Sequence, residues 1–166
     1  YVRIVEQGGL PLRPGVAGLI REARRAGVRL EIATTTSPEN ADALLSASLG
    51  PDPASWFKVI GAGDVVPAKK PAPDIYRYAL EQLGLAPEAC LAFEDSENGL
   101  RAARGAGLRT VVTVNDYTRD QDFTGAALVL DQLGEPHQPF RVLGSRTSLN
   151  GARLFDLPLA RVLAGE

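Results

Sequence analysis

The sequence predicts an α/β fold in which helices cover both faces of a parallel sheet. Short apolar runs alternate with segments of helical period along most of the 166 residues. These apolar runs do not alternate in polarity, as strands buried on one face only would, so each strand should be covered on both sides. Clusters of polar residues follow several of the runs, which is where an open parallel sheet places its ligands.

The helices and strands are predicted from periodicity and from the glycines and prolines that bound them. The first helix shows apolar residues at the spacing of one helical face, namely Val16, Leu19, Ile20 and Ala23. The predicted helices cover residues 14–26, 38–49, 73–83 and 97–106. The predicted strands cover residues 28–35, 58–62, 90–93, 109–114 and 127–130.

The two ends of the chain are harder to interpret. The sequence contains no methionine and opens at Tyr1 inside an apolar pattern, so we expect the natural start to lie upstream. Residues 1–9 are predicted to be the end of a helix and residues 10–133 the α/β core. Residues 134–166 form an extension of uncertain structure, with a loop around His137 and a short helix at 154–163.

The composition excludes several classes of protein. The net charge of −2 gives no electrostatic basis for binding nucleic acid or an anionic membrane. No apolar stretch approaches the roughly 20 residues that cross a bilayer. Cys90 is the only cysteine, which excludes an internal disulfide and a cysteine-based zinc site and favours a buried, inert thiol. Because no secretory signal is visible, a reducing interior compartment is expected.

Three polar clusters fall at or just beyond the ends of strands or at the starts of helices. They are the hydroxyl run 34–37, the pair Lys69 and Lys70, and the adjacent carboxylates Glu94 and Asp95. Hydroxyls and free N–H groups at a helix start bind phosphoryl oxygens, and a lysine neutralises charge that develops during transfer. Adjacent carboxylates suit Mg²⁺, which prefers hard oxygen ligands. Together the clusters predict a phosphate site with a metal.

Each cluster also has a purely structural interpretation. The hydroxyls before Pro38 could cap a helix, the lysines could be a solvated surface, and Glu94-Asp95-Ser96 could be an acidic turn in which Ser96 caps the next helix. Their order and their repeated position after strands favour the functional interpretation. The set contains no evident nucleophile or general acid–base.

At these motifs the sequence resembles the haloacid dehalogenase (HAD) superfamily, in its phosphatase and phosphomutase branch. Residues 32–36 are similar to the family's second motif, residues 70–76 to its third and residues 93–99 to its fourth. Three ordered motifs between about residues 12 and 114 make the resemblance specific. Within the family the sequence is most similar to the CbbY-type sugar-bisphosphate phosphatases, for which xylulose 1,5-bisphosphate is the characteristic substrate.

The resemblance implies a role for each matching residue. Thr34 and Lys70 would contact the transferring phosphoryl group, and the backbone of Thr35 and the hydroxyl of Thr36 would be secondary phosphate contacts. Asp95 would bind Mg²⁺ directly, and Glu94 would assist directly or through water. Asn98 and Gly99 would shape the turn after the metal acids.

The resemblance also has a large gap. The family's first motif, an Asp-x-Asp that supplies the nucleophile and the general acid–base, has no match here, and most of the helical cap is absent. In a HAD-type Rossmann-like sheet that missing strand is central and lies between the strands that end at Thr34 and Glu94. The chain is therefore expected to be a C-terminal fragment, inactive and poorly stable alone, whose core carries an open slot.

The expected parent is a Mg²⁺-dependent phosphatase of sugar phosphates that works through an aspartyl-phosphate. Its substrate would be a small phosphorylated sugar, and the full-length protein would be a monomer without nucleic-acid or membrane partners. The expected location is the cytoplasm, or the chloroplast stroma in a plant or alga. A β-phosphoglucomutase-like phosphomutase stays open, as does a non-catalytic HAD-like binding protein if the chain is complete.

Overall fold

A computed structural model describes residues 11–34, 36–50, 52–61, 65–146, 149 and 151–165. The helices are α1 (Val16–Arg25), α2 (Pro38–Leu49), α3 (Asp74–Leu83), α4 (Glu97–Gly105) and α5 (Leu157–Ala164). The strands are β1 (Glu31–Ala33), β2 (Val59–Gly61), β3 (Leu91–Glu94), β4 (Arg109–Thr113), β5 (Leu128–Leu130) and β6 (Val142–Ser145). Short 3₁₀ helices cover Pro53–Trp56 and Pro87–Ala89.

The strands form two separate sheets. β1 pairs in parallel with β2, with Ile32 opposite Ile60. β3, β4 and β5 pair in parallel in that order, and β6 joins β5 antiparallel. Within the part of the chain that the structure describes, no ladder connects β1 to β3. The α/β class and the mostly parallel sheet are therefore confirmed, and a break lies between the two groups of strands.

Apolar side chains cover the larger sheet on both faces, as expected for parallel strands. On one face Val111, Leu128 and Leu130 pack against the residues of α5, and the partly buried Val16 and Leu19 of α1 join them. On the other face Ala92 packs against α3 and α4, while Val112 packs against Leu100 of α4. Successive residues Val111 and Val112 serve opposite layers because side chains alternate along a strand.

The helix ends follow the residues that favour them. Ser37 accepts a hydrogen bond from the N–H of Asn40 at 3.4 Å, with Pro38 in the first helical turn of α2. Ser96 accepts one from the N–H of Gly99 at 3.2 Å and caps α4. The structural interpretation of Ser37 and Ser96 as helix caps thus holds alongside any role in the site.

The sequence did not predict β6. Its residues carry Gly144 and are mostly exposed, so neither alternation nor an apolar run marks them as a strand. The final helix was predicted at 154–163 and begins at Leu157, because the side chain of Asp156 accepts the N–H of Leu159 at 2.9 Å. The apolar cluster of β4 and β5 also includes Phe140, Phe155 and Leu159, so packing crosses the predicted domain boundary at residue 134. The boundary itself stays a prediction.

Two side chains beside the break lack ordinary surroundings. Phe93 of β3 contacts Phe155 edge to face at 5.2 Å between ring centroids and is 40% exposed, and β3 is the edge strand of the larger sheet. Both carboxylate oxygens of Glu31 in β1 are shielded from solvent and have no hydrogen-bond partner among the described residues. Burial raises the pKa of Glu31 from 4.5 to about 7.

None of the described helices is long and apolar enough to cross a membrane. The predicted helix at residues 1–9 lies outside the described residues.

Candidate phosphate and metal site

Lys70 connects the two groups of strands. Its ammonium donates to the backbone carbonyl of Ala33, at the end of β1, at 3.1 Å. The same ammonium forms an ion pair with Oε1 of Glu94, at the end of β3. Lys70 of the predicted lysine pair thus lies at the carboxyl ends of the two strands that carry the hydroxyl cluster and the carboxylates. The structure brings the three motifs to one place, as their spacing predicted.

Glu94 lies in a closely fitted position. Its side chain is 7% exposed and accepts hydrogen bonds from Lys70 and from the hydroxyl of Tyr76. Burial, and secondly the negative charge of Glu94, raise the pKa of Tyr76 far above its usual value. Tyr76 therefore stays protonated and acts as a donor. The Lys70 ammonium also lies 5.0 Å from the centre of the Tyr76 ring, which adds a cation–π contact.

Gly99 makes room for this carboxylate. It is buried within α4, and a Cβ at this position would lie 2.7 Å from Oε1 of Glu94 and closer still to the rest of the carboxylate. The expectation that Gly99 shapes the turn after the acids stays a prediction, and the structure adds a steric requirement for glycine in this first turn of α4. Its role is a close approach, since only a residue without a side chain leaves space for Glu94 beneath the first turn of the helix.

Asp95 differs from its neighbour because it is exposed. The side-chain amide of Asn115, in the loop after β4, donates to Oδ2 of Asp95 at 3.4 Å. The amide oxygen of Asn115 accepts the N–H of Tyr117 at 2.8 Å, which orients the amide nitrogen toward Asp95. Asp95 therefore has free oxygen lone pairs at the surface, whereas Glu94 is mostly enclosed and its Oε1 accepts from both Lys70 and Tyr76.

The hydroxyl cluster begins where β1 ends. The hydroxyl of Thr34 accepts the N–H of Thr36 at 3.1 Å, so the two residues form a compact turn next to the Ala33 carbonyl that Lys70 contacts. Thr34 and Thr36 are both half-buried. Thr35 lies outside the described residues, so its backbone contact to phosphate stays a prediction.

These donors suit a phosphoryl group, and Asp95 suits a magnesium ion. Mg²⁺ usually takes one or two carboxylates, keeps several waters and shares oxygens of the substrate phosphate. The exposed carboxylate of Asp95 meets this requirement in part. Among the described residues, no group of three or more histidine, cysteine, aspartate or glutamate side chains could enclose a metal by itself.

Sequence reasoning missed Tyr76 and Asn115. Tyr76 was assigned to the apolar face of its helix, which is correct for its ring, but its hydroxyl partner is distant in sequence. Asn115 follows β4 at the sheet edge where ligands bind, and this position was the available signal.

Comparison with known proteins defines the class. A family model for haloacid dehalogenase-like hydrolases matches residues 1–107. That is more than half of the chain, which belongs to this family of hydrolases.

The chain is also similar to particular members. It is 53% identical over 135 residues to protein CbbY of Cereibacter sphaeroides, an alignment that covers 81% of this chain and 59% of that protein. It is 55% identical over 139 residues to a plasmid-encoded protein CbbY of Cupriavidus necator, covering 84% and 55%. The chain thus spans somewhat more than half the length of these relatives.

Solved structures agree with the sequence comparison. Crystal structures of CbbY from Rhodobacter sphaeroides contain phosphate in one case and, in a variant, xylulose 1,5-bisphosphate. Each superimposes with a TM-score of 0.76 at 53% identity and covers 79% of this chain and 58% of the other.

Proposed function

We propose that this chain supplies the phosphate-binding and metal-binding part of a Mg²⁺-dependent phosphatase that acts on a small phosphorylated sugar. The observation that carries the proposal is the position of Lys70, which holds the end of β1 and Glu94 of β3 together at one sheet edge. The proposed roles are those of a phosphoryl-transfer site, in which positioning and charge neutralisation supply most of the catalysis.

Lys70 would neutralise negative charge on the transferring phosphoryl group. Glu94 and Tyr76 hold its ammonium from one side, so the lysine does not have to be ordered when substrate arrives. The hydroxyl of Thr34 and the turn at Thr36 would donate to phosphoryl oxygens from the end of β1. In each case the group is already fixed by the fold.

Asp95 would hold Mg²⁺, with Glu94 acting through Lys70 or through water. When bound, the metal would supply Lewis-acid stabilisation of the phosphoryl oxygens. Asn115 would keep the Asp95 carboxylate in one orientation. These assignments keep the two adjacent acids in different roles, because one is exposed and the other is enclosed.

We further propose that the nucleophile lies outside the 166-residue sequence. Within the described part of the chain, β1 and β3 have no strand partner on the sides that face the break. The exposed ring of Phe93 and the carboxylate of Glu31, which the described residues leave without a hydrogen bond, lie beside it. The relatives are longer than this chain. A further strand between β1 and β3, carrying an aspartate at its carboxyl end, would complete both the sheet and the site.

The substrate proposal follows from the family and from one complex. A phosphorylated sugar is consistent with the site, and xylulose 1,5-bisphosphate is the first compound to test, because it is bound in a CbbY crystal structure at 53% identity to this chain. The test is phosphate release from a panel of sugar phosphates by the whole protein, including any segment encoded before Tyr1.

Variants make this test specific. Lys70→Met and Asp95→Asn are expected to lower kcat about 10²–10³-fold, because each removes a charge that stabilises the transition state. Lys58→Met and Asp42→Asn remove exposed charges of the same types away from the site and serve as matched controls. EDTA should abolish turnover and Mg²⁺ should restore it.

Two results would count against the proposal. Wild-type activity in Lys70→Met would contradict the role of the lysine. Metal-dependent hydrolysis by the pure 166-residue chain would show that the nucleophile lies within it.

A further inference from the structure

A concave site lies at the opposite end of the larger sheet's strands from Lys70 and Asp95. It has a volume of about 380 Å³ and lies where β4 begins, just before β5, and beyond the end of the antiparallel β6. Three arginines line it, namely Arg104, Arg109 and Arg146. The side chains of Leu108 and Leu163 form an apolar wall of the cavity. No carboxylate is among the described residues that line it.

Backbone carbonyls hold two of the arginines in place. Arg104 donates to the carbonyl of Thr124 at 3.0 Å, and Arg109 donates to the carbonyl of Leu163 at 3.0 Å. Each of these bonds uses one of five guanidinium N–H donors. A carbonyl fixes the direction of a guanidinium but does not neutralise its charge, so both cations keep donors available for a ligand.

The glycines around the cavity keep the guanidiniums close to the backbone. Gly125 has a φ of +97°, and a Cβ there would lie 2.7 Å from Nε of Arg104. A Cβ at Gly165 would lie 2.6 Å from Nη1 of Arg109. Both arginines therefore lie close to a glycine, where a side chain would collide with the guanidinium, and this close fit restricts their motion before any ligand binds.

Asp122 is an acid that interacts with Arg104 but lies outside the lining of the cavity. Its carboxylate is exposed and interacts electrostatically with Arg104. The same carboxylate accepts the N–H of Thr124 at 2.8 Å. The chain as a whole carries a net charge of −2, so the three arginines are a local concentration of positive charge against that balance. Such a concentration in a concave site raises the local concentration of anions.

We propose that this cavity binds a small organic phosphate that carries at least two negative charges. Guanidinium groups match phosphate oxygens with paired hydrogen bonds, and three of them favour a multiply charged ligand. The volume lies in the range of small-molecule sites, and the apolar wall suits a short carbon body between the charged groups. This site is separate from the site of Lys70 and does not depend on the proposed phosphatase activity.

Calorimetric titration of the whole protein with fructose 1,6-bisphosphate tests the proposal. Lys70→Met serves as the background, without added Mg²⁺, so that binding at the phosphatase site is weakened. We expect this variant to retain binding to the cavity and to bind inorganic phosphate more weakly than the bisphosphate. Higher ionic strength should lower the affinity.

Arginine variants in the same background locate the ligand. Arg146→Gln is expected to weaken binding roughly tenfold, the size of one charge-assisted contact. Arg101→Gln removes an exposed arginine of α4 that does not line the cavity and should leave binding within twofold. Thermal unfolding of each variant shows whether the fold is retained.

Two outcomes would overturn the proposal. One is the absence of bisphosphate binding to Lys70→Met at millimolar concentration while the fold is intact. The other is equal affinity of Arg146→Gln and Arg101→Gln, which would place the ligand elsewhere.

Discussion

Replacing Gly99 by alanine tests the arrangement around Glu94 most directly. The residue lies within a helix, where alanine is favoured over glycine by roughly 0.5–1 kcal/mol. Propensity alone therefore predicts a more stable protein. The added Cβ would, however, lie 2.7 Å from Oε1 of Glu94 and closer to the other carboxylate atoms, so the carboxylate must move.

Moving the carboxylate breaks its contacts to Lys70 and Tyr76. Each contact involves a charged group that is mostly enclosed, with 17% exposure for the lysine side chain and 7% for the glutamate. Losing such a bond costs about 1.5–3 kcal/mol. Two of them exceed the gain in helix propensity, so we expect Gly99→Ala to lower the free energy of unfolding by roughly 2–5 kcal/mol.

The matched control is Gly18→Ala. Gly18 lies within α1, and a Cβ there would meet nothing within 4 Å, so alanine should raise the free energy of unfolding by roughly 0.5–1 kcal/mol. Urea unfolding followed by circular dichroism measures both variants. Stabilisation by both substitutions would refute the close approach of Gly99 to Glu94, since propensity would then explain everything.

Three further predictions concern groups away from Lys70. Glu31→Leu should stabilise the chain by about 1–3 kcal/mol more at pH 8 than at pH 4. The reason is that the half-buried acid binds its proton more tightly in the folded chain, so its ionisation costs stability as the pH rises from 4.5 to about 7. Equal gains at both pH values in urea unfolding would contradict this. Arg13→Ala should lower the free energy of unfolding by about 2–4 kcal/mol in the same assay, because the guanidinium of Arg13 donates to the carbonyls of Thr113 and Val114 at 2.7 Å each. A change below 0.5 kcal/mol would refute that role. Burial raises the pKa of Cys90, so its thiol should react with a disulfide reagent at pH 7.5 far more slowly in the folded chain than in urea, and equal rates would argue against a shielded thiol.

The elements with strong local signals were predicted well. α1 and α3 carry apolar residues at helical spacing, and β4 is rich in β-branched residues, so local preference and packing agree. β6 was missed because its exposed residues gain their pairing from β5, not from a pattern of their own. The distant partner supplies what the local sequence lacks.

The candidate site was likewise predicted in part from the sequence and in part only from the structure. The sequence by itself determined which chemical groups are present. The hydroxyls, the lysine and the two carboxylates can be identified from residue type and from their order after successive strands. Only the tertiary structure decided their roles. It encloses Glu94 between Lys70 and Tyr76, leaves Asp95 exposed beside Asn115, and gives Gly99 its close approach.

The physical reason is that a residue's type fixes its chemistry, whereas exposure and partners depend on segments far away in the chain. Adjacent carboxylates are equivalent in sequence and become different when the fold buries one and hydrates the other. The same holds for the arginines at the opposite end of the larger sheet, which are scattered in sequence and meet at one cavity because β4 and β5 begin there and β6 ends there.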